Sequence, residues 1–249
     1  MANLFRTSNP ALNQKTFQGA NVLGGRVMTI EGTVNRAGIL LACTVATAAW
    51  TWGSFLRARN PADVAVPVLV GVVGGFAVAL VTIFKREWSP VTAPIYALLE
   101  GLALGGISAM LNVAYPGIAV QAVGLTFGTL AVMLTAYRTG VICATERFKL
   151  GVISATGAIA LVYLISIVLS FFGVRTPYLN DASPIGILIS VIIVGVAALN
   201  LVLDFDFIET GANHGAPQYM EWYGAFGLMV TLIWLYLEML RLLSKVRRR

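Results

Sequence analysis

The sequence predicts an all-α integral membrane protein with seven transmembrane helices. Three observations carry that prediction. Of 249 residues, 58% are hydrophobic and 11% charged, and the mean hydropathy is +0.82. A soluble chain is roughly a quarter charged, and its folded exterior needs polar cover that this chain cannot supply. Second, the apolar residues fall in runs of about 20, the length that spans a hydrocarbon core about 30 Å thick. Third, the connections between runs are short and hold chain breakers: "RNPAD", "KREWSP", "YPG", "RTP" and "NDASP".

The candidate spans are 37–56, 65–84, 91–112, 116–137, 150–173, 184–204 and 222–243. Each is expected to be a helix, because a spanning segment must satisfy its own backbone hydrogen bonds. The alternation of a membrane barrel strand is absent. Residues 1–36 form a polar N-terminal arm, and 37–249 a single membrane domain with no soluble insertion. The opening "MANLFRTSNPALNQ" lacks the apolar core of a secretory signal peptide, so the first span is expected both to target the chain and to stay in the membrane.

Each span adds its own feature. The first ends in "WTWGSF", whose aromatic residues, like those of "MEWYG" before the last span, suit an interfacial anchor. The second carries "GVVGG", and the third carries "EGLALGGIS", where Gly101 and Gly105 form a small-xxx-small pair. Such residues let helix axes approach closely and predict a tight bundle without a wide aqueous pore. Cys43 and Cys143 are too few for a disulfide framework or a metal cluster and are expected to be buried small hydrophobes.

Orientation follows from Lys and Arg. With the N-terminus cytoplasmic, that side holds Arg6, Lys15, Arg26, Arg36, Lys85, Arg86, Arg138, Arg147 and Lys149, against Arg57, Arg59 and Arg175 opposite. The tail from Arg241, "RLLSKVRRR", adds basic residues to the other side and breaks the rule if all seven segments cross. The net charge of +6 is thus an orienting and headgroup-contacting feature. Nucleic acid is not an expected partner, since no basic folded domain is present.

The acids need a reason. Glu100 lies inside the third span, where a carboxylate costs a few kcal/mol on insertion scales and must face the bundle interior or be protonated. From Pro184 to Leu203 there is no ionisable residue; then Asp204, Asp206 and Glu209 arrive together. Two residues turn a helix by about 200°, so Asp204 and Asp206 point to opposite sides. Asp204 shares a face with Asn200, Ala197 and Ser190 and is the candidate buried carboxylate, whereas Asp206 and Glu209 are expected nearer water. Glu238 is expected to pair locally with Arg241, three residues on. His214 reads as a turn residue. No nucleophile–base pair, phosphate loop or metalloprotease motif is present, so neither an enzyme nor a cofactor is expected. The acids are also too scattered for a calcium cage of six to eight oxygens.

"APIYALLEGLALGGIS", "TFGTLAVMLTAYRTGVI", "LDFDFIETGANHGAPQYMEW" and "WLYLEMLRLLS" together resemble the Bax inhibitor-1 (transmembrane Bax inhibitor motif) family, and more narrowly its bacterial Bax inhibitor-1-like branch. The resemblance runs from about residue 28 to the C-terminus. It implies a last helix wrapped by the other six, and a calcium leak modulated by protonation. It also implies an aspartate near the end of the sixth helix, paired with another in the seventh. The first falls on Asp204; the second is missing, since "YGAFGLMVTLIW" has no carboxylate. Asp206 or Glu100 would have to substitute, or the latch is absent.

These readings predict a pH-sensitive passive cation leak in a bacterial inner membrane, with calcium or protons as the ions. Asp204, Asp206 and Glu100 are the candidate ion-pathway or sensor residues, and Lys85 and Arg86 the candidate ion-pair partners of Asp204. The alternative is a non-conducting membrane regulator of a protease or a stress-response partner, met through the basic arm and tail.

Overall fold

A computed structural model of the chain describes residues 26–58, 61–173 and 181–248. Seven helices run in order: α1 Ile30–Ala58, α2 Pro61–Phe84, α3 Ser89–Ala114, α4 Ile118–Arg138, α5 Glu146–Phe171, α6 Pro184–Asn213 and α7 Met220–Arg247. A single 3-10 turn, Arg86–Trp88, leads into α3. All seven are long and apolar enough to cross a membrane. Among the described residues there is no strand, only an isolated bridge between Val27 and Pro217. Most of the arm, together with Arg6, Lys15, Arg59 and Arg175, lies outside the described residues.

The ends of the helices follow local chemistry. Thr145 and Ser183 cap α5 and α6 by accepting from the amides of Phe148 and Gly186, and Pro184 fits the first turn of α6. α6 stops at His214, which occupies the turn expected of it; Gly215 follows with φ 65°, a left-handed conformation that glycine takes without a Cβ clash. Two boundaries differ from the apolar runs. α1 begins at Ile30, before the run at 37, and α6 continues through "DFDFIE" to Asn213. Hydropathy marks where lipid contact ends, while the helix goes on as long as its backbone bonds are satisfied.

Contacts at both ends fix the antiparallel order. At one face, called near, Met28 N donates to Ala216 O and Ser89 Oγ to Tyr219 O. This joins the starts of α1 and α3 to the α6–α7 connection. At the far face, Lys245 Nζ donates to Gly186 O, and Arg247 to Pro116 O and Gln121 Oε1. α7 therefore crosses the whole bundle, and the basic tail does emerge opposite the start of α1.

α7 is the central element. It packs on α1, α3, α4 and α6, and Tyr163 of α5 reaches it by side chain. Small residues set the tightest contacts: a Cβ on Gly101 or Gly105 would fall 2.3 Å from the Thr44 or Ala48 carbonyl oxygen of α1. The glycines thus bring α1 and α3 to backbone contact, as membrane helices require when lipid is as apolar as their own side chains. Cys43 is half-buried, and Cys143 is exposed in the α4–α5 connection. The expectation of two buried thiols is corrected, because Cys143 falls just past the end of an apolar segment.

Candidate functional site

α3, α6 and α7 place three polar side chains at one depth. Counting 1.5 Å per residue from the near ends of their helices, Asp204 lies ~14 Å down, and Glu100 and Thr231 ~16 Å. Thr231 of α7 faces Asp204 across the α6–α7 contact. Asp204 and Glu100 open onto the same cavity, of about 760 Å³, walled by α2, α3, α6 and α7. Helical phase explains why Asp204 and not Asp206 is there: the two point opposite ways, and the α6 face carrying the fully buried Ala197 and Leu201 is the inward one.

Asp204 is half-buried, but its Oδ2 is fully buried and has no hydrogen-bond partner among the described residues. That oxygen is the anomaly of the site. Buried polar atoms are paired in the great majority of cases, and each exception needs a cause. Glu100 differs. The Tyr96 hydroxyl, one turn earlier on α3, stands beside its carboxylate. Gly75 of α2 leaves room for it, since a Cβ there would lie 2.9 Å from Glu100 Oε1. Apart from the two acids, the walls are mainly aromatic and aliphatic, with Phe76, Phe207, Tyr223 and Phe226 among them, and no Lys, Arg or His among the described residues lines them.

The other candidates are elsewhere. Asp206 faces α5, where Lys149 Nζ lies 2.7 Å from its Oδ2, and Glu209 accepts from Tyr137 of α4. Neither lines the cavity that holds Asp204 and Glu100. Lys85 and Arg86 make no ion pair with Asp204 among the described residues. Lys85 sits over Trp88 at 6.0 Å, and Arg86 over Tyr223 at 5.4 Å. They stay at the near face, too shallow for a carboxylate well inside α6. Asn200 turns aside as well, donating to Thr156 of α5.

Two buried acids outside the cavity are each ion-paired with an arginine. Glu221, 2% exposed, accepts from the amide and hydroxyl of Thr29 and pairs with Arg36 at 2.6 Å. Glu238, 1% exposed, accepts from Tyr163 and pairs with Arg241 at 2.8 Å, the local pairing expected from the sequence, now with a third member. Sequence reasoning missed Glu221, Tyr96 and Thr231. A signal existed for two of them: Tyr96 and Glu100 are four apart on one helix face, and Thr231 is the lone hydroxyl in the middle of "FGLMVTLIW".

The family model described as Bax inhibitor 1 like matches residues 9–248. The chain belongs to the Bax inhibitor 1-like family. No curated protein and no solved structure matches it significantly. As a member of this family and a bundle of seven spanning helices, it is an integral membrane protein. Where the resemblance implies a second aspartate on the seventh helix, the residue that meets Asp204 is Thr231.

Proposed function

We propose that the chain passively leaks cations across a bacterial inner membrane. Calcium is the ion to test first, and Asp204 is the group that senses both proton and cation. The observation that carries this reading is the unpartnered Oδ2 of Asp204, buried beside a cavity that also holds Glu100. A carboxylate at bilayer depth is costly and marks an ion or proton path more often than it decorates a fold.

In this reading, ionised Asp204 accepts from Thr231 and holds α6 to α7, with a cation as the partner of its free oxygen. Protonation removes the charge, releases the cation and shifts the population towards an open arrangement of the two helices. The near face would be cytoplasmic, given Arg26, Arg36, Lys85, Arg86, Arg138, Arg147 and Lys149 on that side. The regulator reading is weaker, because Lys245 and Arg247 of the tail are bound into the fold and are not free to greet a partner.

Calcium flux from liposomes holding the purified chain, measured across a pH series, tests the proposal. Asp204→Asn is expected to change the flux and flatten its pH profile. An unchanged flux and profile in that variant would sink it.

A further inference from the structure

The cavity is far larger than an inorganic cation needs. At about 760 Å³ it lies in the roughly 300–1,000 Å³ range of sites that enclose drug-sized organic molecules. Three hydroxyls, from Tyr96, Tyr223 and Thr231, and two carboxylates are its side-chain oxygens, and among the described residues no group of three or more His, Cys, Asp or Glu gathers to hold a metal ion. Most of the wall is apolar, and its aromatic rings form a connected set. Tyr96 meets Phe226 edge-on at 5.0 Å, Phe226 meets Tyr223 at 6.2 Å, and Tyr223 meets Phe207 at 6.0 Å. Ring faces attract cations, most strongly where water is excluded. Beside them stands one buried carboxylate oxygen without a hydrogen-bond partner, and no basic side chain among the described residues lines the space.

We propose that this cavity binds a lipophilic organic cation, with the charge paired to Asp204 and the apolar substituents against the aromatic wall. The inference shares with the leak reading only the assignment of Asp204 as the cation-facing acid. Each feature has a share in the selectivity. A small inorganic ion leaves the apolar wall uncovered, and a neutral molecule leaves Asp204 without a counter-charge. An anion meets two carboxylates, and the Arg86 guanidinium stacked on Tyr223 is not among the residues that line the cavity. Glu100, with the Tyr96 hydroxyl beside it, adds attraction at longer range and is the lesser contributor.

The test uses the purified full chain in lipid nanodiscs, with tetraphenylphosphonium as probe and tetraphenylborate as its counterpart of the same shape and opposite charge. Equilibrium dialysis with empty nanodiscs subtracted should show saturable tetraphenylphosphonium binding. Asp204→Asn should weaken it at least tenfold and Glu100→Gln less, while Glu209→Gln, on the α4 side of α6, leaves it unchanged. Gly227→Leu is the second variant. A Cβ at Gly227 meets nothing closer than Asp204 Oδ1 at 3.8 Å, so the larger side chain fills the cavity and should also abolish binding. Equal binding of the two probes, no saturable binding, or full binding by both Asp204→Asn and Gly227→Leu would overturn the inference. Flux separates it from the leak reading. Asp204-dependent calcium flux without probe binding leaves the leak and removes this site; probe binding without calcium flux does the reverse.

Discussion

Asp204, half-buried with one buried oxygen, and the buried Glu221 are acids on the two helices that pack at the α6–α7 contact, and their surroundings could hardly differ more. Glu221 has a guanidinium at 2.6 Å and two donors from Thr29, and Gly32 leaves the room they need: a Cβ there would fall 2.1 Å from Glu221 Oε1. Glu238, deeper on α7, is similarly held by Arg241 and Tyr163. Asp204 has one hydroxyl, one bare oxygen and a cavity. The first two are what a fold does with a charge it must bury for structure: it brings a counter-charge along. The third is a charge kept without one, which makes sense where something else arrives to fill the role.

The comparison breaks most severely at Glu221. Removing one partner of a buried ion pair leaves an uncompensated charge, a loss of about 3–5 kcal/mol. Glu221→Ala strands Arg36 and the Thr29 hydroxyl, and also loosens the start of α1 from the α6–α7 connection. The expected outcome is a chain that unfolds at much lower temperature in detergent, followed by tryptophan fluorescence. Since Arg36 stacks on Trp222 at 5.4 Å, the fluorescence baseline of the folded state should change too. A variant as stable as the parent would show that Glu221 is not a structural acid.

A smaller effect is expected at Glu238. Arg241 is about a third exposed, and its stranded charge can turn to solvent at the far face. Glu238→Gln keeps an acceptor for Tyr163 and loses the charge-assisted part of the bond, a cost of about 1–3 kcal/mol by the same melting measurement. Tyr163→Phe should cost less again, since Arg241 still neutralises Glu238. If Tyr163→Phe proved the worse of the two, the hydroxyl and not the ion pair would be holding α5 to α7.

How much of this contrast was legible beforehand depended on range. The seven spans, the close α1–α3 contact at Gly101 and Gly105, and the inward face of Asp204 are written in local composition and helical period. Those properties belong to one helix at a time. The partners are not local. Arg36 reads as the last basic residue of a polar arm until the fold brings Glu221 to it across 185 positions. Lys149 reads as an orienting charge until it meets Asp206. Matching basic residues to acids by membrane face alone selected Lys85 and Arg86, yet depth along the helix and rotation about it decide who meets whom. Thr231 is hidden in the sequence because a lone hydroxyl in an apolar helix carries no charge to mark it.

The smallest predicted effect is the most discriminating. If Asp204 were a structural acid like Glu221, Asp204→Asn would destabilise the chain by a similar few kcal/mol. If its bare oxygen awaits a cation, neutralising it removes a desolvated charge that no protein group compensates, while the amide oxygen can still accept from Thr231. A group left unsatisfied when buried costs about 1–3 kcal/mol, and the new amide needs partners of its own. The two offset, so the unfolding midpoint of Asp204→Asn should stay close to that of the parent or rise slightly in the absence of added ligand. Adding tetraphenylphosphonium should then stabilise the parent and not the variant, because only a ligand bound by the folded state raises the midpoint. A variant that melts early, and that no cation rescues in the parent, would place Asp204 beside Glu221 and Glu238 as one more acid held for the fold.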